Sequence, residues 1–140
     1  MNWMVLPLRR YVDFGGRSRR KEYWLFVLFA FLVIIAASSV DLSLGYGRAG
    51  RFANPHAVGW SVSSNGPVAA LALLALAIPS LSVTVRRLHD TDRSGWWLLL
   101  LLLPVIGSFV LFIFYCLDGT RGPNRFGADP KSEHLGDVFA

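Results

Sequence analysis

The chain has 140 residues, of which 54% are hydrophobic, 14% aromatic and only 16% charged, with 14 Lys and Arg against 9 Asp and Glu for a formal charge of +5. An average soluble domain carries about 25% charged residues, and here the apolar residues gather in three long uncharged runs instead of alternating with polar ones at a helix or strand period. This excludes a soluble enzyme, a disordered chain and a secreted disulfide scaffold, since Cys116 has no second cysteine to pair with; the pattern is that of a single all-α integral membrane domain.

Residues 1–22 form a basic, polar lead segment. Trp3, Met4, Leu8, Tyr11 and Val12 fall on one side of a helix with Arg9, Arg10 and Asp13 elsewhere, which predicts a short helix lying in the membrane interface and sensing anionic lipid. The first apolar run, Tyr23 to Val40, has eighteen residues and reaches roughly 27 Å, close to the ~30 Å hydrocarbon thickness. A cleavable signal is its rival reading, from the small residues Ala36 to Ser39, but the run exceeds an ordinary signal core and two more runs follow it.

The segment Asp41 to Gly66 holds glycines and no hydrophobic run, and reads as an irregular exposed loop, long for a connection between neighbouring helices. The second span, Val68 to Val85, has a marked start: Asn65 or Gly66 as cap, then Pro67 at the first helical position. Within it Ala69, Ala72, Ala75, Pro79, Ser82 and Arg86 recur at helical spacing opposite Leu71, Leu74, Ile78, Leu81, Val85 and Leu88. Membrane helices associate where backbones approach closely, so the small-residue stripe is the expected packing face.

Then comes the polar stretch Arg86-Arg87-Leu88-His89-Asp90-Thr91-Asp92-Arg93-Ser94-Gly95. On a continuing helix Arg86 meets Asp90 and His89 meets Arg93 at i,i+4, and Asp92 or Ser94 is placed to cap the next helix. His89, Asp90 and Asp92 are chemically competent metal ligands, but they do not share one helical face and no second histidine motif lies nearby, so no metal or cofactor is expected.

The third run, Trp96 to Leu117, has twenty-two residues, fifteen of them Leu, Ile, Val or Phe, enough to favour insertion by about 6 kcal/mol. It reads as one span, kinked at Pro104; a re-entrant turn at Pro104-Val105-Ile106-Gly107 is the alternative. A polar tail, 118–140, follows. Trp and Tyr stand at the run borders (Tyr23, Trp24, Trp60, Trp96, Trp97, Tyr115), as in an aromatic belt. Three crossings put nine Lys and Arg on the N-terminal side against five, which predicts a cytoplasmic N-terminus and an outer tail; re-entry would give twelve against two.

Three stretches carry a family resemblance: Phe14 to Trp24, Arg86 to Trp97, and Asp118 to Pro130 with its Asn124 and Arg125. Their order and spacing resemble the bacterial inner-membrane family called domain of unknown function 805. Phe126 stands where that family often has Tyr, and the first loop is longer than in its short members. The resemblance implies a bacterial plasma-membrane location and transfers no catalytic residue.

The candidate polar cluster is therefore Arg17, Arg20, Glu22, Arg86, Arg87, His89, Asp90, Asp92, Arg93, Asn124 and Arg125. Glu22 and Asp90 are expected to tie the first two spans together through opposing arginines, with Arg17 and Arg20 left to meet lipid headgroups. The chain carries no zinc-protease motif, phosphate loop or nucleophile elbow, and no charge within an apolar run, which speaks against a proton relay. The expected role is a small membrane interaction or scaffold protein. A subunit of an oligomeric channel or transporter is the alternative, ahead of an interfacial enzyme using His89, Asp90 and Asp92. Expected partners are membrane lipids, anionic ones included, and a second copy or another membrane protein; nucleic acid is not among them.

Overall fold

The structure is a computed structural model that describes residues 4–54, 57–64 and 66–131. Trp3 and Asn65 lie outside the described residues, as does the side chain of Trp60. The chain divides into two compact units, one formed by the segment through Val27 together with the chain from Ile78 onward, the other by Leu28–Ala77.

Two long helices dominate: α2 over Arg20–Ser43 and α3 over Pro67–Asp90, 24 residues each. At 1.5 Å per residue each is about 36 Å long, more than the hydrocarbon thickness, and both are apolar enough to cross a membrane. Three of their hydroxyls bond back to their own helices: Ser39 to the Ile35 carbonyl at 2.8 Å, Ser43 to Val40 at 2.7 Å and Thr84 to Ser80 at 2.6 Å. Such back-bonding leaves no hydroxyl proton for lipid to solvate.

The expected interfacial helix is only one turn, α1 over Leu6–Arg9, with Pro7 buried and Arg9, Tyr11 and Val12 exposed. Beyond it the chain is pinned to α3, because the Ser82 hydroxyl donates to the Asp13 carbonyl at 2.6 Å. Tyr11 and Val12 of the expected apolar stripe lie beyond this turn.

In Leu28–Ala77, the segment expected to be irregular is a β-hairpin. Strands β1 (Gly47–Asn54) and β2 (Ala57–Ser64) pair antiparallel from Gly47 opposite Ser64 to Asn54 opposite Ala57. Its glycines and serines hide the alternation that marks a strand. The start of α3 is also capped from elsewhere: Asp41, fully buried near the end of α2, accepts hydrogen bonds from the Val68 and Ala69 amides at 3.1 and 2.8 Å. Gly66 permits this approach, since a Cβ there would come within 2.1 Å of the Asp41 carboxyl carbon. Pro67 does open the helix.

On α3 the small-residue stripe is buried at Ala69, Pro79, Ser82 and Arg86, while Leu71, Leu74, Ile78 and Leu81 are exposed. The split is not complete: Ala72 and Val85 are both half-buried, Ala75 is exposed, and Leu88 is fully buried beneath the polar cluster at the helix end.

The run expected to form the third span is not one continuous helix. Residues Gly95–Leu102 form a 3₁₀ helix, the chain turns, and α4 runs over Ile106–Cys116, only 11 residues. At the turn Val105 has φ +70° and the Ile106 amide donates to the Pro104 carbonyl at 2.9 Å, a tight three-residue γ-turn. The two arms press together at Gly107, where a Cβ would meet the Leu100 carbonyl oxygen at 1.6 Å. Trp97 near the start packs edge-on against Phe114 near the end, ring centroids 5.3 Å apart. The run therefore leaves and returns at the same end, and the tail expected on the opposite side lies beside the N-terminal motif. Length and hydrophobicity are the same for a hairpin and a crossing, so they could not separate the two.

Candidate functional site

The return of the hairpin brings the three sequence motifs into one polar cluster, with Asp90, the last residue of α3, at its centre. One Asp90 carboxylate oxygen accepts from Arg17 Nε at 2.9 Å and the other from Arg87 Nη1 at 2.5 Å. All three side chains are at least 96% buried. The Asp90 carbonyl accepts the Thr120 amide at 2.8 Å, and Gly119 must lack a side chain because a Cβ would fall 2.1 Å from the Asp90 carboxylate. Charge-assisted hydrogen bonds are roughly twice as strong as neutral ones, and burial raises the cost of losing a partner.

Both arginines then use the rest of their forks on the returning chain. Arg17 donates to the carbonyls of Thr120 at 2.5 Å and Gly122 at 2.6 Å. Arg87 donates to the Tyr115 carbonyl at 3.2 Å and to the Leu117 carbonyl. These acceptors are the open carbonyls at the end of α4 and just beyond it, which no helical amide can reach. The planar guanidinium suits this task because its donors diverge to several acceptors at once.

A second buried pair lies alongside. Arg86 and Glu22 approach at 3.2 Å with the Arg86 side chain fully buried, linking the first turn of α2 to the last turns of α3. The Ser18 amide donates to the Arg86 carbonyl at 3.1 Å.

The remaining candidates form the outer layer. The His89 ring stacks on Phe126 with centroids 3.9 Å apart and planes 3° from parallel, and its Nδ1 lies 3.3 Å from the Gly16 carbonyl oxygen. Asn124 donates to the His89 carbonyl at 2.9 Å. Arg125 pairs with Asp92 at 3.2 Å, and Arg93 lies over the Phe114 ring at 4.0 Å. Arg20 reaches Asp118 at 3.0 Å and the Cys116 carbonyl at 2.9 Å from an exposed position.

All eleven candidate residues thus meet in one region; Glu22 ties α2 to α3 through Arg86 as expected, but the helical i,i+4 pairs do not form. Arg86 pairs with Glu22 and not with Asp90, and Arg93 with an aromatic ring and not with His89, because partners from distant motifs displace the helical neighbours. Asp90 ties the segment before α2, not α2 itself, to α3. Arg17 is buried and cannot reach lipid headgroups. Ser94 stands at the start of the 3₁₀ helix without a side-chain capping bond, and Asp92 turns to Arg125 instead. Sequence reasoning missed Gly119, Thr120, Asp118 and Asp129; Asp129 accepts the Gly122 and Lys131 amides at 3.0 and 2.9 Å. The Gly-Thr and Asp-Pro signals of a folded tail were present there.

Chemically the cluster is built of mutually neutralised charges. Among the described residues no three His, Cys, Asp or Glu side chains gather as a metal site requires. The arrangement can clamp chain segments and present its outer arginines and His89 to a surface.

Comparison with known proteins gives a consistent result. The family model described as "Protein of unknown function (DUF805)" matches residues 11–128. The chain is similar to the inner membrane protein YhaH of Escherichia coli K12, 41% identical over 95% of this chain and 99% of that one. It is similar to the inner membrane protein YhaI of the same strain, 43% identical over 94% and 97%. It also resembles the uncharacterized protein YiiR of that strain, 27% identical over 85% of this chain and 86% of the relative. No solved structure matches.

Proposed function

The chain belongs to the DUF805 family of bacterial inner-membrane proteins, and from that premise we propose that it is a small membrane interaction protein that presents a clamped polar surface on the cytoplasmic face. In this reading α2 and α3 cross the bilayer, Gly95–Cys116 enters and returns as a re-entrant hairpin, and both chain ends lie in the cytoplasm. The observation that carries it is the anchoring of the hairpin's returning end by Arg87 and Arg17 beside Asp90. With this topology twelve Lys and Arg lie on the cytoplasmic side against Arg48 and Arg51 outside, a stronger positive-inside bias than three crossings give.

The cluster's charges are occupied with one another, and in this reading two crossing helices are too few to enclose a solute path; both points favour an interaction role over a conduit. Among the described residues, exposed cations placed to face anionic lipid or an acidic partner include Arg9, Lys21 and Arg121. Neutralising these three should weaken binding to anionic vesicles and flatten its salt dependence. Affinity purification in mild detergent with native mass spectrometry tests the role. A stoichiometric protein partner supports it, whereas a stable oligomer that passes small ions in proteoliposomes would establish the channel reading instead.

A further inference from the structure

A groove of about 490 Å³ runs between the last turns of α3 and the 3₁₀ helix, within the size range of small-molecule sites. Its walls change chemistry along their length. On α3 one stripe contributes Leu81, Val85 and His89, four residues apart, so the wall goes from apolar to polar over about 12 Å. On the 3₁₀ helix the facing wall begins at Ser94 and continues to Leu98 and Leu99, about 8 Å further on. The two walls meet at the level of Val85, where a Cβ on Gly95 would lie 3.3 Å from a Val85 methyl. The polar start of the second wall therefore lies about one helical turn, ~6 Å, from His89, and the apolar residues Leu81, Leu98 and Leu99 line the same groove.

The mouth of the groove offers hydrogen-bonding atoms. His89 has Nδ1 at the Gly16 carbonyl and its ring fixed against Phe126, which leaves Nε2 as an acceptor when Nδ1 carries the proton. The Ser94 hydroxyl makes no capping bond.

We propose that this groove holds one membrane phospholipid, its acyl chain along Leu81, Val85, Leu98 and Leu99 and a hydrogen-bond-donating headgroup, ethanolamine or glycerol, at His89 and Ser94. A lipid is the occupant whose polarity changes in the same sense over the same distance. The proposal rests on the re-entrant topology only for setting the mouth at the headgroup level of the inner leaflet.

The test uses the full chain in mild detergent with added lipids, read by native mass spectrometry. Ethanolamine phospholipid should appear as a one-to-one adduct that survives activation. Leu99→Trp, which fills the groove from an exposed position, should reduce it at least tenfold, and His89→Phe or Ser94→Ala several-fold. Leu102→Trp on the same 3₁₀ helix, outside the groove lining, should leave it unchanged. Absence of the adduct from the unaltered chain, equal retention by Leu99→Trp, or equal retention of choline phospholipid, whose headgroup has no donor, would overturn the proposal. The adduct forms in detergent whichever side the tail occupies, so a wrong topology, read separately from reporter fusions, does not imitate a failed groove.

Discussion

Replacing Asp90 by Asn tests whether the polar cluster holds the hairpin and tail in place. The substitution keeps the shape but removes the charge between Arg17 and Arg87, whose Nε and Nη1 lie 2.9 and 2.5 Å from the two carboxylate oxygens. An amide has one acceptor oxygen and turns its NH2 toward the other guanidinium, so one buried cation loses its partner. Breaking a buried pair costs about 3 to 5 kcal/mol, a large share of a typical ~5 to 15 kcal/mol total. For a chain of this size that corresponds to a fall of roughly 10 °C in Tm. The control is Asp118→Asn, which removes a carboxylate 62% exposed and paired with Arg20; exposed pairs contribute only ~0 to 1 kcal/mol. Thermal melts in detergent, followed by near-ultraviolet circular dichroism of the Trp97–Phe114 region, should separate the two variants. Equal small shifts for Asp90→Asn and Asp118→Asn would refute the reasoning and reduce the cluster to a solvated basic surface.

Gly107→Ala should open the hairpin, since the added methyl would sit on the Leu100 carbonyl; overpacking of about 1 to 3 kcal/mol is expected in the melt, together with faster proteolysis of the tail. Asp41→Ala should cost about 0.5 to 2 kcal/mol through the lost cap of α3, visible as faster amide exchange at Val68 and Ala69. The Lys131 and Gly122 amides lower the Asp129 pKa from its ordinary 3.8. Its contribution to tail docking is therefore complete above the ordinary value and lost as pH falls through the lowered one. An acid titration of tail protease protection should show that loss, and Asp129→Asn should abolish the dependence.

The two long apolar helices were legible because an uninterrupted apolar run of span length marks a helix of that length. The break in the third run was not legible in the same way, because length and hydropathy count residues and do not sense direction. What distinguishes the hairpin is local and tertiary, namely Pro104 before Val105 in the γ-turn and Gly107 against Leu100. The charge count is the one sequence feature that differs between the two arrangements, nine against five for three crossings and twelve against two for a return. The cluster's membership was readable from motif residues, but its pairings were not. Helical spacing offers Arg86 a neighbour at Asp90, and nothing in spacing shows that Glu22, 64 positions away, is nearer. Asp41 is the same case in reverse, a lone carboxylate whose purpose appears only once the start of α3 lies beside it.

The re-entrant hairpin is the claim on which the rest depends, and paired reporter fusions test it most directly. Alkaline phosphatase and a cytoplasmically fluorescent protein would be joined in turn after Lys131 and within the β1 to β2 connection. Fluorescence without phosphatase activity after Lys131, and the reverse at the hairpin connection, is the expected result. Phosphatase activity after Lys131 would place the tail outside, restore a third crossing, and contradict the account.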